Sequence, residues 1–279
     1  MTTGGGAADP ATCPACRSLG TRGAFCLNVF ITGASSGIGA ALASEFAKRG
    51  ARLGLVARRR DALDRIAAAL PGQHHTYIAD VTDKDSLISA AREFDVAGGG
   101  TDIVIANAGI SVGVKTEFYE DLEQFARVFD TNVMGMATTF HPFIAGMKAR
   151  RRGTLVGIAS VAGVRGLPGS DAYCASKAAA IVYCESLRVE MAKYGIKVVT
   201  ISPGFIRTSM TKRNPYQMPF LMDVDAFAQR AADAIIAGVR YRTIPWQMGW
   251  VTALLKLMPR PLFDRIMAGR KQKPRAGAA

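Results

Sequence analysis

Between residues 26 and 202 six short apolar runs alternate with segments of helical period, and this rhythm narrows the choice of fold more than any other feature of the chain. The runs CLNVFIT (26–32), RLGLVA (52–57), HHTYIA (74–79), DIVIAN (102–107), TLVGIAS (154–160) and KVVTIS (197–202) have strand length and are rich in β-branched residues. Most are apolar almost throughout, as parallel strands covered on both faces must be. In the intervening segments Ile38, Leu42 and Phe46 fall on one helical face. So do Leu63, Ile66 and Leu70, and again Phe118, Leu122, Phe125 and Phe129. Parallel strands need crossover helices, and the right-handed rule places those helices on both faces. The pattern therefore predicts an α/β fold with a doubly wound parallel sheet, Rossmann-like, in one domain. Its expected limits are 25–245, preceded by a flexible tail at 1–24 and followed by an amphipathic extension and basic tail at 246–279.

Composition removes several classes. With 49% hydrophobic and 20% charged residues the chain can bury a core. Five Cys, an odd number, do not make a disulfide scaffold, which favours reduced thiols and a cytoplasmic location. The Cys13-Pro14-Ala15-Cys16 pair lacks a second ligand pair, and His74, His75 and His141 have no metal-ligand spacing, so no metal is expected. No apolar run reaches the ~18 residues of a spanning helix. The net charge of +13 leaves nucleic acid, an anionic membrane or an acidic small molecule as partners. Nucleic acid is not expected, because stacking aromatics are sparse in the basic C-terminal segment.

In such folds the first strand-to-helix turn carries the phosphate chemistry. Here it reads TGASSGIG, Thr32 to Gly39. Gly33 permits a turn closed to residues with a Cβ, Gly37 admits a pyrophosphate close to the backbone, and Gly39 lets the helix pack on the sheet. After the second strand come Arg58, Arg59 and Arg60, with no acid before Asp61. An acid there would bind a free ribose 2′-hydroxyl, whereas Arg suits a 2′-phosphate, so NADP(H) is favoured over NAD(H).

These residues resemble the short-chain dehydrogenase/reductase (SDR) family in its classical branch, over about residues 27 to 210. Thr32–Gly39, including Ser35 and Ile38, matches the family's cofactor turn, Asp80-Val81 its adenine-side contact, and Asn107-Ala108-Gly109 the turn after the fourth strand. Asn132, Ser160, Tyr173 and Lys177 match its catalytic set, and Pro203, Ile206 and Thr208 the segment that holds the nicotinamide carboxamide. The resemblance implies an NADP(H)-dependent oxidoreductase that interconverts a carbonyl and an alcohol. The alternative is a non-catalytic NADP(H)-binding sensor or scaffold.

The residue types suit that chemistry. Tyr173 and Lys177, four apart, share one helical face. A free phenol has a pKa of about 10, and moving it to about 7 takes roughly 4 kcal/mol of differential stabilisation. A neighbouring ammonium and a positive nicotinamide ring are suited to supply it. Tyr173 would then be the general acid or base. Ser160 would hydrogen-bond the substrate oxygen and Lys177 the nicotinamide ribose. From the resemblance, Asn132 would hold a water that relays a proton to Lys177.

The ending departs from the family. From Tyr241 it reads YRTIPWQMGW, without the Gly-Gly turn that helps many members form tetramers, so a dimer through the helices at 118–129 and 173–194 is expected instead. The stretch from Trp246 to Met267 mixes Trp246, Trp250, Leu254 and Leu257 with Lys256, Arg260 and Arg265. It suits a pocket cover, a partner contact or peripheral membrane contact. A substrate loop at 205–225, with Met210, Tyr216, Met218, Phe220, Leu221 and Met222, implies a hydrophobic small-molecule substrate.

Overall fold

The computed structural model describes residues 27–212, 214, 217–269 and 273–275. The expected tail at 1–24, the Cys13/Cys16 pair, Tyr216, Arg270 and Lys271 lie outside them. Strands β1 (Asn28–Thr32), β2 (Arg52–Ala57), β3 (His75–Ile78), β4 (Ile103–Ala106), β5 (Gly153–Ile158), β6 (Ile196–Pro203) and β7 (Tyr241–Ile244) form one sheet. All neighbours are parallel, in the order β3-β2-β1-β4-β5-β6-β7. Seven strands replace the six read from the sequence. The seventh is four residues long at the sheet edge with its first two residues exposed, so it carries no apolar run to mark it.

Helices α1 (Gly37–Lys48), α2 (Arg60–Ala69) and α7 (Val224–Ala237) cover one face. Leu42 and Phe46 of α1, Leu63 of α2 and Phe227 of α7 are wholly buried there. Helices α3 (Lys84–Ala97), α5 (Gly135–Arg150) and α6 (Asp171–Ala192) cover the other. On that side the Phe30 ring lies 5.6 Å from Phe94 and 5.0 Å from Phe143. Gly54 in β2 faces the same rings, and a Cβ on it would run into both Phe94 and Phe30. Each buried aromatic contributes on the order of 1.5–3 kcal/mol by leaving water.

Helix α4 (Tyr119–Phe129) turns differently from its apolar pattern. Asp121 and Val128 are buried, while Leu122 is 47% exposed. The reason is a C-terminal strap, residues 273–275, in which Arg275 Nε and Nη2 donate to Asp121 at 2.8 and 3.0 Å. That bidentate pair carries a carboxylate inward and turns Leu122 out. Between α4 and α5 the helix widens into a π-helical turn, Asp130–Met134.

Strand order reverses between β1 and β4, and their carboxyl ends open the crevice where α/β sheets bind ligands. Helices α8 (Trp246–Leu257) and α9 (Arg260–Met267) follow β7.

Candidate active site

The crevice is tied together by the ends of β1 and β4. Thr32 Oγ1 accepts from the backbone of Asn107 and Ala108 at 3.2 and 3.3 Å. Asn107 Nδ2 donates back to the Thr32 carbonyl at 2.9 Å. Gly33 and Gly37 adopt φ of +68° and +55°, where a Cβ is strained. A Cβ on Gly33 would also meet the Ala108 backbone and the Asn107 amide at 2.9 Å. Ser36 caps α1 without a side-chain hydrogen bond, so the first-turn N–H groups stay available to an anion. A glycine cradle before an uncapped helix fits a dinucleotide's pyrophosphate.

Gly33, Ser35, Gly37, Ile38, Arg58, Arg59, Asp80, Val81, Asn107, Ala108, Gly109, Tyr173, Lys177, Pro203, Ile206 and Thr208 line one cleft of about 310 Å³. Gly39 does not line it. A Cβ there would strike the Gly33 carbonyl, so this glycine serves the packing of α1 on the turn. Sequence reasoning missed Thr211, which locks the 206–211 segment: its Oγ1 donates to the Ile206 carbonyl at 2.6 Å and accepts from the Thr208 N–H at 3.0 Å. At the far end Arg58 Nη1 lies 3.3 Å from Asp80 Oδ2. Burial alone would raise the Asp80 carboxyl, but hydrogen bonds from the Thr82 backbone and hydroxyl, with Arg58, outweigh it and hold the group below its ordinary value.

The four residues matched to the catalytic set converge from different elements. Ser160 follows β5 and is buried, its Oγ accepting from the Ala162 N–H at 3.1 Å. Tyr173 and Lys177 stand one turn apart on α6. Lys177 is buried, its Nζ donating to the Ile158 carbonyl at 2.8 Å and lying 5.9 Å from the Tyr173 ring centre. Burial pushes its ammonium down to about 8. Asn132 sits in the π-helical turn, fully buried. Its Oδ1 accepts from the Ile110 N–H at 2.8 Å, and its Nδ2 donates to the Ile110 carbonyl at 3.0 Å and Ser176 Oγ at 2.9 Å. One amide proton thus fixes the segment after Gly109 and the other ties the π-helical turn to α6 beside Lys177. Asn132 lines neither cavity, although its neighbour Thr131 lines the cleft.

A second cavity of about 580 Å³ adjoins the first. Ser160, Tyr173, Gly204, Met210 and Thr211 belong to both, so they form the shared wall. Its further lining includes Phe205, Asn214, Gln217 and Pro219 of the 205–225 loop, residues between Val161 and Ser170, Arg165 among them, Met248, Val251, Thr252 and Leu255 on α8, Met267 on α9, and Ser111 and Lys273. Of the described methionines and apolar residues expected in the 205–225 loop, only Met210 lines it. Phe220 is half exposed at a left-handed φ of +56°, and Met222 turns toward the core beneath α7 through its bridge to Ile206. Arg165 and Lys273 had no local signal, because the charges reach the cavity from segments distant in sequence.

A family model described as short chain dehydrogenase matches residues 27–218. An uncharacterized oxidoreductase of Myxococcus xanthus is 38% identical over 237 residues, 84% of this chain and 93% of that one. Human estradiol 17-beta-dehydrogenase 11 is 29% identical, over 88% of this chain and 82% of its own length. Among solved structures a short-chain dehydrogenase from Streptomyces avermitilis superposes with a TM-score of 0.73 at 27% identity, covering 87% of this chain and 95% of that one.

Proposed function

The chain belongs to the short-chain dehydrogenase family, and from that premise we propose that it is an NADP(H)-dependent oxidoreductase interconverting a carbonyl and an alcohol on a hydrophobic substrate. Members of the family are oxidoreductases that bind a nicotinamide cofactor and act on small molecules. The observation that carries the finer reading is the shared wall, where Ser160 and Tyr173 face both the cofactor cleft and an apolar cavity.

When bound, the nicotinamide supplies or accepts the hydride; the chain supplies position and protons. The turn from Gly33 to Gly37 and the first turn of α1 hold the pyrophosphate. Pro203, Ile206 and Thr208 hold the carboxamide end, Asp80 and Val81 flank the adenine side, and Asn107–Gly109 line the cleft at the turn after β4. Arg58 and Arg59 take a 2′-phosphate. The cleft's one acidic lining residue among those described, Asp80, already faces Arg58, which leaves a free ribose hydroxyl without the usual acceptor.

In the direction of reduction Tyr173 gives its phenolic proton to the substrate oxygen as the carbonyl carbon is reduced. Ser160, whose hydroxyl proton is not engaged among the described residues, donates to the same oxygen and offsets the developing charge. The buried Lys177 ammonium stabilises the phenolate left behind and reaches the nicotinamide ribose. Asn132 keeps one acceptor lone pair beyond its bond to Ile110, enough for the relay water, while its amide fixes the wall next to Lys177.

NADPH oxidation with a panel of aliphatic ketones and aldehydes, wild type against Tyr173→Phe, tests this reading. Equal rates would reject the role of Tyr173. NADPH binding without turnover of any carbonyl would favour the sensor or scaffold.

The division at residue 245 acquires a role in the same scheme: the extension closes the substrate side. On α8, Met248, Val251 and Leu255 face the cavity while Trp246, Trp250, Leu254 and Leu257 are exposed on the other side, near Lys256 and Arg260. That basic apolar ridge supports peripheral contact with an anionic membrane by a cytoplasmic protein. No helix among the described residues is long and apolar enough to cross a membrane. Exposed Leu122 on α4, with Val182 and Val189 on α6, supports a homodimer through these helices.

A further inference from the structure

The charged lining of the apolar cavity is all of one sign. Among its described residues Arg165 and Lys273 carry charge, both positive, and Asp and Glu are missing. The two cations are differently engaged. Arg165 Nη1 donates to the carbonyls of Leu255 and Met258, each at 3.1 Å, and the guanidinium lies 4.2 Å from the centre of the Phe263 ring. It clamps α8 to α9. Lys273 Nζ donates only to neutral oxygens among the described residues, the Ser111 carbonyl at 2.9 Å and the Ser111 hydroxyl at 2.7 Å. An ammonium has three donors, so among the described residues one donor and the whole charge remain uncompensated. Burial accordingly pushes this ammonium below its ordinary value.

The position of Lys273 is built. Two residues on, Arg275 grips Asp121 with two hydrogen bonds, lies 3.5 Å from the centre of the Phe118 ring, and makes a parallel bridge to Gly113. Gly113 packs so closely beneath the strap that a Cβ on it would strike the Pro274 carbonyl. Lys273 is partly buried, and a partly desolvated cation held against neutral partners is favoured by an anion that joins it. The wall is mostly apolar but also holds polar side chains such as Asn214 and Gln217, and Lys273 is its cation with a donor to spare among the described residues, which suits the single charge of a carboxylate.

We propose that Lys273 is the recognition point for a carboxylate, so that the cavity takes an aliphatic carbonyl or alcohol that is also a carboxylic acid. The substrate assignment rests on the proposed carbonyl chemistry; the carboxylate site itself does not. Calorimetric titration with octanoate and with the neutral isostere octanamide, in the presence of NADP⁺, measures recognition without turnover. Wild type should bind octanoate at least about tenfold more tightly, and Lys273→Met should bring the ratio near one. Gly113→Ala keeps the ammonium but displaces the strap, and should collapse the same ratio if Lys273→Met fails to fold. A wild-type ratio near one, or a preference that survives both changes, overturns the proposal. Reduction of 7-oxooctanoate and its amide by NADPH separates the two readings. Turnover of both without preference defeats the carboxylate site and leaves the chemistry standing. Octanoate preference without turnover of either supports the site and defeats the chemistry.

Discussion

The cleft beside Gly33 and the pocket beyond Ser160 share a wall but are assembled from different kinds of material. The cleft takes its surface from strand ends and the turns that leave them, joined by hydrogen bonds between β1 and β4. The pocket takes its surface from the segment after β5, from the loop after β6, from a helix after the last strand, and from a strap whose Lys273 meets Ser111 across 162 residues of chain. A site made from the ends of neighbouring strands cannot change without disturbing the sheet. A site closed by appended segments can be rebuilt while the sheet stays as it is, which suits a common cofactor and a variable substrate.

The largest expected effect lies on the shared wall. Tyr173→Phe should lower kcat/KM by about 10²–10⁴ while NADPH affinity, read by fluorescence titration, changes little. Loss of binding instead would make Tyr173 a structural part of the cleft. Next, Arg58→Asp with Arg59→Ala should cut the NADPH to NADH preference in kcat/KM by roughly 10–100-fold, the scale of one charge-assisted hydrogen bond. An unchanged ratio would mean that these arginines do not read the phosphate. The rigidity attributed to the cleft is probed by Gly39→Ala, whose Cβ has no space against the Gly33 carbonyl. Overpacking of this kind costs about 1–3 kcal/mol, visible in the urea midpoint. A matching midpoint would show the turn to be more yielding than the comparison requires.

Lys177→Met examines the boundary between the regions through pH. Burial lowers the folded-state pKa to about 8, from an ordinary value of 10.5. Between those values the unfolded chain binds more protons than the folded one, so this group's contribution to stability rises with pH through that window and is least below it. The variant should therefore have a higher urea midpoint than wild type at about pH 7, with the gap narrowing towards about pH 10. A gap that stays constant would contradict the buried charge. On the appended side, Trp246→Ser with Trp250→Ser should reduce co-sedimentation with phosphatidylserine vesicles severalfold. Stability should move by no more than about 0.5 kcal/mol, as both rings are exposed. Undiminished sedimentation would rule this ridge out as the membrane contact.

The same contrast explains what could be read from the sequence. Thr32 to Gly39 and the Tyr173–Lys177 pair declare themselves because their geometry is local: a turn, or one step of a helix. The sheet was legible wherever a strand carries an apolar or β-branched run, and β7 escaped because its four residues, YRTI, hold no such run. The buried side of α4 was misread because Asp121 is held inward by the Lys115 N–H and by Arg275, the latter more than 150 residues away, and no apolar pattern within the helix announces it. Lys273 and Arg165 were hidden for the same reason. Their partners are a distant serine and the carbonyl oxygens of Leu255 and Met258, which leave no mark on residue type.

The π-helical turn at Asp130–Met134 bears on how this chain can vary in length. Such a turn holds one residue more than an α-helical ladder needs, so the helices on either side are out of step by about 100°. Removing Thr131 would give a single regular helix with better local hydrogen bonding. It would also rotate Asn132 relative to Phe140 and Phe143, so that the amide could not meet Ile110 while the rings stay on the sheet. A one-residue deletion here, harmless in most helix termini, would force the molecule to surrender either its core or its site.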